Sequence, residues 1–480
     1  MSRNNKSFYI TTTIPYVNAD PHIGFALELA QADAIARYQR LAGREVFFST
    51  GTDEYGQKIW EASRKEGKSV QDYVDQYAEK FLNLSKSLNI SYDNFIRTTS
   101  SENIGAAREF WRLCKEKGDI YEKEYKGLYC VGCERFLKEK DLADGKCPFH
   151  PSLSPEQVEE KNYFFKLTKY KKELLQYLSN ENAIVPEWRR QEAIDFIENG
   201  MEDFSISRSS ERFSWGIPVS GDESQVMYVW FGAFVNYLST LGWPKDKEKF
   251  QKFWIEGEKT QNAGKDMVKF QSVMWQGMLL SAGLPVTDTV IYHGFITGEG
   301  GIKMSKSLGN VVNPMQIMEE YGVDALRYFL LREISSFEDS PFTMERFKDA
   351  YNANLANGLG NLASRILTLS EKYSDKCPNI PEKSDMGEYF SFFEKFDIKQ
   401  ATDYIWNKIA ELDKFIQETE PYKVIKVDKE KGEKIISDMV VRLYEIARML
   451  NPIMPETNKK LKKLIRENKK PETPLFPRKD

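Results

Sequence analysis

Apolar, aromatic and β-branched residues crowd FYITTTIPYV (8–17), which predicts a strand. The next stretch, FALELAQADAIARYQRLAG, places apolar side chains at Phe25, Leu29, Ala32, Ile35, Ala36 and Leu41, close to the 3.6-residue period of an amphipathic helix. REVFFSTGTDEYG (44–56) then predicts a second strand that ends in a polar, glycine-containing loop. Strand, helix and strand at this spacing make a βαβ unit, so the expected fold class is α/β, a Rossmann-type doubly wound parallel sheet.

The pattern changes over residues 118–215, where short strands, polar loops and a Cys/His cluster read as a connective insertion between a first half of the sheet domain (1–117) and a second half (216–295). In that second half VMYVWFGAF and TVIYHGFIT read as strands and DMVKFQSVMWQGMLLSAG as a helix. A glycine-flanked loop region follows over 296–345. From 346 to 480 the amphipathic period dominates, in RFKDAYNANLANGLGNLASRILTLSEKY, DIKQATDYIWNKIAELDKFIQETEPYK and KIISDMVVRLYEIARMLNPIMP, which predicts an antiparallel helix bundle. The basic run TNKKLKKLIRENKK reads either as a solvated helix face or as an RNA contact.

With 480 residues the chain can bury a large core in two to four domains. A 41% hydrophobic and 29% charged composition is that of a globular protein, and no stretch approaches the roughly 18 apolar residues of a membrane span, so a cytoplasmic protein with no membrane association is expected. The net charge of −4 argues against coating nucleic acid through bulk positive charge and leaves room for local basic patches. Five cysteines do not make a disulfide framework.

Three clusters carry candidate chemistry. His22 of NADPHIGF sits at a strand-to-helix junction, where backbone N–H groups and the helix dipole favour phosphate; a histidine there also serves simply to satisfy the backbone. KMSKS (303–307) lies in GEGGIKMSKSLGN, and two lysines three apart on such a loop can fold over a polyphosphate. Cys130-x2-Cys133 and, thirteen residues on, Cys147-x2-His150 supply three thiolates and an imidazole, a donor set for one structural Zn²⁺; reduced, non-ligating thiols are the competing reading. Cys114 and Cys377 are expected to be ordinary buried thiols.

The order of these pieces, with IPYVNADPHIG, TGTDE, LYCVGCERF, DFSISR, WGIPV, YVWF, GKD, KMSKSLGNVV, GVDALRYFLLRE and NLASR, resembles the class I aminoacyl-tRNA synthetases over essentially the whole chain, and among them the methionyl-tRNA synthetase family. The resemblance implies that methionine and ATP form methionyl-adenylate and pyrophosphate, and that methionine is then transferred to the 3′-terminal adenosine of initiator and elongator tRNA-Met. It implies a catalytic role for His22, Lys303 and Lys306; ATP binding by His22, Gly24, Gly264, Asp266, Lys303, Ser305 and Lys306, with Mg²⁺ accompanying ATP; and methionine binding by Ile14, Tyr16, Asp53, Trp230, Ala233, Tyr237 and Gln271. Asp53 would pair with the ammonium, and an apolar, aromatic pocket suits a thioether. Without the resemblance, most of these pocket positions read as plain core. Asn361 and Arg365, four apart on one helix face, would read the anticodon, with Tyr422 after Pro421 as the stacking ring where better-known members carry Trp. A monomer is expected.

The sequence departs from the family pattern at Phe25 (HIGF for HIGH), Tyr55, Gly232, Gln261 and Gln271. A lost transition-state donor typically costs about 10²–10³ in rate. Two readings follow: a working enzyme with a re-packed site, which the retained His22, Asp53, KMSKS loop, metal-type ligands and Asn361/Arg365 favour, or a weakened or inactive relative that binds tRNA, methionine or a protein partner. A class I synthetase for another amino acid fits less well, because the insertion is too short for a large editing domain.

Overall fold

The computed structural model describes residues 6–131, 135–137, 139, 142–148, 154–211, 214–302, 304, 312–381 and 386–479. The chain divides into two compact units, one made of Met1–Pro21, Arg44–Leu84 and Tyr92–Tyr292, the other of His22–Gly43, Ser85–Ser91 and His293–Asp480.

The first unit is built on a six-stranded sheet whose strands, in chain order, are β1 (Phe8–Thr11), β2 (Val46–Thr52), β3 (Asn94–Arg97), β4 (Ile184–Val185), β5 (Glu258–Gly264) and β6 (Thr289–His293). In space they run β3-β2-β1-β5-β6-β4. The β1–β2, β2–β3, β1–β5 and β6–β4 pairings are parallel, with Ile10 opposite both Phe48 and Thr260. Strands of a sheet covered on both faces need apolar side chains throughout, and Phe8, Tyr9, Ile10, Val290, Ile291 and Tyr292 are all buried. The order reverses between β1 and β5, and ligands bind such sheets in the crevice beyond the carboxyl ends at a switch of this kind.

Two sequence expectations change here. Ile184–Val185, within the span 118–215 expected to be an insertion, pairs with Val290 and Ile291, so that span contributes an edge strand to the main sheet. VMYVWFGAF is not one strand: the strand Asp222–Met227 stops, and Val229–Phe234 is helical. Its aromatic and β-branched composition suits a strand, but packing decides otherwise, because the turn tucks Phe231 against Phe110 and Trp111 in an aromatic core. The remainder of 118–215 includes an antiparallel sheet of Ile120–Cys130, Arg135–Leu137, Glu156–Phe165 and Phe204–Ser205.

The second unit contains α1 (Ile23–Leu41) and a bundle of α2 (Asn361–Tyr373), α3 (Ile398–Thr419), α4 (Pro421–Val427), α5 (Lys429–Met449) and α6 (Pro455–Arg466). Helix α5 packs against all four other bundle helices, burying Ile436, Met439, Val440 and Leu443 at helical spacing. Arg327 is wholly buried and pairs with buried Asp33 of α1 at 2.7 Å, while its remaining donors bond the carbonyls of Leu88, Pro452 and Ile453. A buried guanidinium is tolerated only when paired and hydrogen-bonded in this way.

Candidate functional site

In the first unit the chain leaves β1 through Ile14–Tyr16 and leaves β2 at Asp53, and Tyr16 and Asp53 face each other across an isolated parallel bridge. The Asp53 N–H donates to the Pro15 carbonyl at 2.9 Å, and the Val17 N–H donates to the Asp53 carbonyl at 3.2 Å. This backbone clamp fixes a carboxylate that is only 3% exposed, with Thr98 Oγ1 3.4 Å and the Tyr55 N–H 3.5 Å from its Oδ1. The adjacent acid behaves differently. Glu54 receives both Nε (2.6 Å) and a terminal nitrogen (2.9 Å) of Arg97 and hydroxyls from Thr52 and Thr99, so its charge is spent inside the fold.

Beside Asp53 stands a wall of rings. Tyr16 meets Trp230 edge-on at 6.1 Å, Trp230 stacks on Phe270 at 4.5 Å, and Phe234 bridges Trp230 and Tyr237. Ile14, Tyr16 and Trp230 are half-buried, whereas Ala233, Tyr237 and Gln271 are buried. Gln271 Nε2 donates to Tyr237 Oη at 3.0 Å. Gly264 closes β5 and Asp266 lies exposed in the turn after it, at the carboxyl end where the strand order reverses.

In the second unit His22 is the N-cap of α1: its Nδ1 accepts the Gly24 N–H at 3.0 Å, and its ring is exposed. With Nδ1 acting as acceptor, the neutral imidazole carries its proton on Nε2. A Cβ on Gly24 would stand 2.9 Å from His22 Cε1, so a glycine is what lets the ring lie over the helix start. The segment containing KMSKS is tied to α1 on both sides. Before it, His293 Nε2 lies 3.1 Å from Glu28 of α1 and its Nδ1 lies 2.8 Å from the Gly294 carbonyl; after it, the Val312 carbonyl accepts the Ile23 N–H at 3.3 Å. Lys303, Ser305 and Lys306 themselves lie outside the described residues.

The bundle has a cleft of about 560 Å³ that Asn361 and Arg365 line together with Arg332, Asn357, Trp406 and Asp413. Arg365 donates to Asp413 at 2.6 Å. Tyr422 is not among the lining residues; it starts α4, is 43% exposed and donates to Glu420 at 3.2 Å. The ring that lines the cleft is Trp406, held between Tyr328 at 4.7 Å and the Arg332 guanidinium at 5.0 Å.

The family described as tRNA synthetases class I (M) matches residues 8–154 and 151–367. The methionine–tRNA ligase of Caldanaerobacter subterraneus subsp. tengcongensis is 40% identical over 95% of this chain and 73% of its own, and that of Thermotoga maritima is 39% identical over 97% and 76%. The chain belongs to the methionyl-tRNA synthetases. Among solved structures, Mycobacterium tuberculosis methionyl-tRNA synthetase in complex with methionyl-adenylate superposes with a TM-score of 0.91 at 35% identity, covering 98% of this chain and 100% of that one.

Within this synthetase the departures from the family pattern are packed rather than vacant. Phe25 is 6% exposed on α1, one turn before Glu28. Tyr55 stacks on Trp215 at 5.5 Å, and burial, with Glu54 and Asp53 adding to it, pushes its hydroxyl up to about 12. Gly232 does not loosen the wall: Ile217 Cδ1 lies 3.2 Å from where its Cβ would be. Of the metal-type ligands, Cys130 and Cys147 share one small buried cluster with Leu137, whereas Cys133 and His150 lie outside the described residues. Among the described residues no group of three or more His, Cys, Asp or Glu is arranged to hold a metal ion. Cys114 is the buried thiol expected, pushed up to about 12 by burial.

Sequence reasoning missed Trp406, Asn357, Glu28 and His293. Only a helical stripe or a strand end marked them, and core residues give the same signal.

Proposed function

We propose that the re-packed site is catalytically competent and that the residues above divide the work of methionine activation and transfer to tRNA-Met. The observation that carries this is the buried Asp53 carboxylate, clamped by its own backbone beside the Tyr16–Trp230 wall while Glu54 is neutralised by Arg97. A fixed, partly desolvated carboxylate beside aromatic rings suits an ammonium group carried next to a thioether side chain. Asp53 would hold methionine's ammonium, Ile14, Tyr16, Trp230, Ala233, Tyr237 and Gln271 its side chain, and Gly264 and Asp266 the adenosine.

The carboxylate of methionine is already ionised at neutral pH, so no protein nucleophile is required. It attacks the α-phosphorus of ATP, the bond to pyrophosphate breaks, and the protein's part is orientation and charge stabilisation. His22, with its proton on Nε2, would donate to a phosphoryl oxygen, and Lys303, Ser305 and Lys306 would neutralise the departing pyrophosphate. Mg²⁺ accompanies ATP as the counter-charge of its phosphates. Cys130, Cys133, Cys147 and His150 would hold one Zn²⁺, which would fold the insertion and take no part in the reaction; the burial of Cys130 and Cys147 in one cluster otherwise poor in apolar residues supports that donor set. Asn361 and Arg365 would read the anticodon from their shared cleft. A monomeric, cytoplasmic enzyme completes the reading; among the described residues no helix is long and apolar enough to cross a membrane.

The test is methionine-dependent ATP–pyrophosphate exchange run beside leucine, isoleucine, valine and cysteine, together with charging of tRNA-Met. Exchange is expected with methionine above all the others, and Arg365→Ala should raise the KM for tRNA while leaving exchange unchanged. Absence of exchange with every amino acid, from folded and zinc-loaded protein, would overturn the proposal in favour of a binding-only relative.

A further inference from the structure

The two glutamines that depart from the family pattern, Gln261 and Gln271, belong to one buried hydrogen-bonded chain that neither position suggests alone. Gln271 stands in the π-helical turn Phe270–Met274, and Gln276 stands at the start of the α-helix that follows. Gln276 Nε2 donates to the Gln271 backbone carbonyl at 2.8 Å and to Thr287 Oγ1 at 3.1 Å, and the Thr287 N–H donates to Gln276 Oε1 at 2.9 Å. Thr287 Oγ1 in turn donates to Gln261 Oε1 at 3.4 Å. All four side chains are buried.

The direction of this chain is set by groups that cannot be reversed. A backbone N–H can only donate, so Thr287 fixes the Gln276 oxygen, and the Gln276 nitrogen must then face the Gln271 carbonyl. The wide π-turn is thereby stapled to the loop leading into β6. A π-turn is a place where a helix re-aims a side chain, and here it aims Gln271 at Tyr237. Gln271 Nε2 occupies a lone pair of Tyr237 Oη, which directs the hydroxyl hydrogen away from the amide. Gln271 Oε1 and Gln261 Nε2 have no hydrogen-bond partner among the described residues. These two atoms give the network polar capacity that the protein by itself leaves unused.

We infer that Gln276, acting with Thr287, is a positioning residue for amino-acid selectivity: it holds the π-turn so that Gln271 turns the Tyr237 hydroxyl hydrogen toward the side-chain pocket, where a thioether sulfur can accept it and a methylene cannot. This rests on the reading that Tyr237 and Gln271 line the methionine pocket. The discriminating pair of substrates is methionine and norleucine, which have nearly the same shape and differ at the sulfur.

The experiment is ATP–pyrophosphate exchange by the full chain with each amino acid, for the wild type, Gln276→Leu, Thr287→Val, Thr287→Ser and Tyr237→Phe, with thermal unfolding measured alongside. Gln276→Leu is expected to lower the methionine-over-norleucine ratio of kcat/KM about five- to tenfold, through the KM for methionine, with the KM for ATP unchanged. Thr287→Val should act in the same direction, which keeps the test alive if Gln276→Leu does not fold, and Thr287→Ser should restore the ratio. If Tyr237→Phe lowers the ratio while Gln276→Leu and Thr287→Val change only the unfolding temperature, or weaken both amino acids equally, the inference is wrong and the pocket reading stands. If Tyr237→Phe leaves the ratio unchanged, the pocket reading fails and the inference fails with it.

Discussion

Phe25→His converts HIGF to the family's usual HIGH and separates two views of the fourth position. If position 25 faced phosphate, the new imidazole would add a transition-state donor, and such donors contribute about 10²–10³ in rate. The structure gives the opposite expectation. Phe25 is 6% exposed on α1, so the substitution removes a nearly fully buried ring, which contributes about 1.5–3 kcal/mol through burial. It also puts two ring nitrogens into an apolar site, where an unsatisfied polar group costs about 1–3 kcal/mol. The expected loss is about 3–5 kcal/mol, which at about 2–4 °C per kcal/mol for a domain of 150–250 residues is a fall of roughly 6–20 °C in the unfolding temperature. The measurement pairs differential scanning calorimetry with methionine-dependent pyrophosphate exchange at a temperature where both proteins are folded. Lower stability with no gain in kcat is the predicted result. A tenfold or larger rise in kcat at an unchanged unfolding temperature would refute the reasoning, because it would mean that position 25 reaches the reacting phosphates.

Three further outcomes follow from the same geometry. Gly24→Ala sets a methyl 2.9 Å from His22 Cε1, so the ring must leave its capping position; about 1 kcal/mol of stability and most of the exchange rate should be lost together, measured by calorimetry and kinetics. Gly232→Asp should destabilise the first unit by overpacking Ile217 at 3.2 Å, and Ile217→Ala in the same chain should recover part of the loss, as a double-mutant cycle of unfolding free energies would reveal. Burial pushes the Asp33 carboxyl up, but Arg327, Arg37 and Ser91 outweigh it and hold the group below the ordinary carboxylate range. A carboxylate depressed in the folded state contributes stability above its unfolded value of about 3.9 and loses that contribution as pH falls through its folded value, so unfolding free energy should decline in acid. Asp33→Asn leaves Arg327 buried without its counter-charge; it should cost about 3–5 kcal/mol at pH 7 and progressively less in acid titrations.

What was legible from residue order was local. The βαβ alternation, the position of His22 at a strand-to-helix junction, the paired lysines of KMSKS, the C-x2-C spacing and the Asn361/Arg365 pair all lie within a few residues of one another. Neighbouring positions on one chain report directly which side chains share a turn or a face. Composition could mislead even at that range: Val229–Phe234 has the residues of a strand and is a helix, because buried rings from elsewhere in the chain receive it. A two-residue strand such as Ile184–Val185 has no period to detect, and its place in the sheet is set by β6, about a hundred residues later.

Packing decided the rest. Asp53 and Glu54 are indistinguishable in TGTDE; they part only when Arg97 comes from β3 to neutralise one of them and Pro15 clamps the other. His293 and Glu28 are 265 residues apart and meet inside the second unit. Phe25 reads in the motif as a missing donor, and only its burial shows that the side chain belongs to the core. Gln261, Gln271 and Thr287 look like separate residues along the chain, yet Gln276 joins them into one network. Local spacing encodes which elements form and which chemistry they carry. The pairing of a charge, the burial of a ring and the direction of a hydroxyl depend on partners that only the folded chain brings within 3 Å or so, and these decided how the site is held.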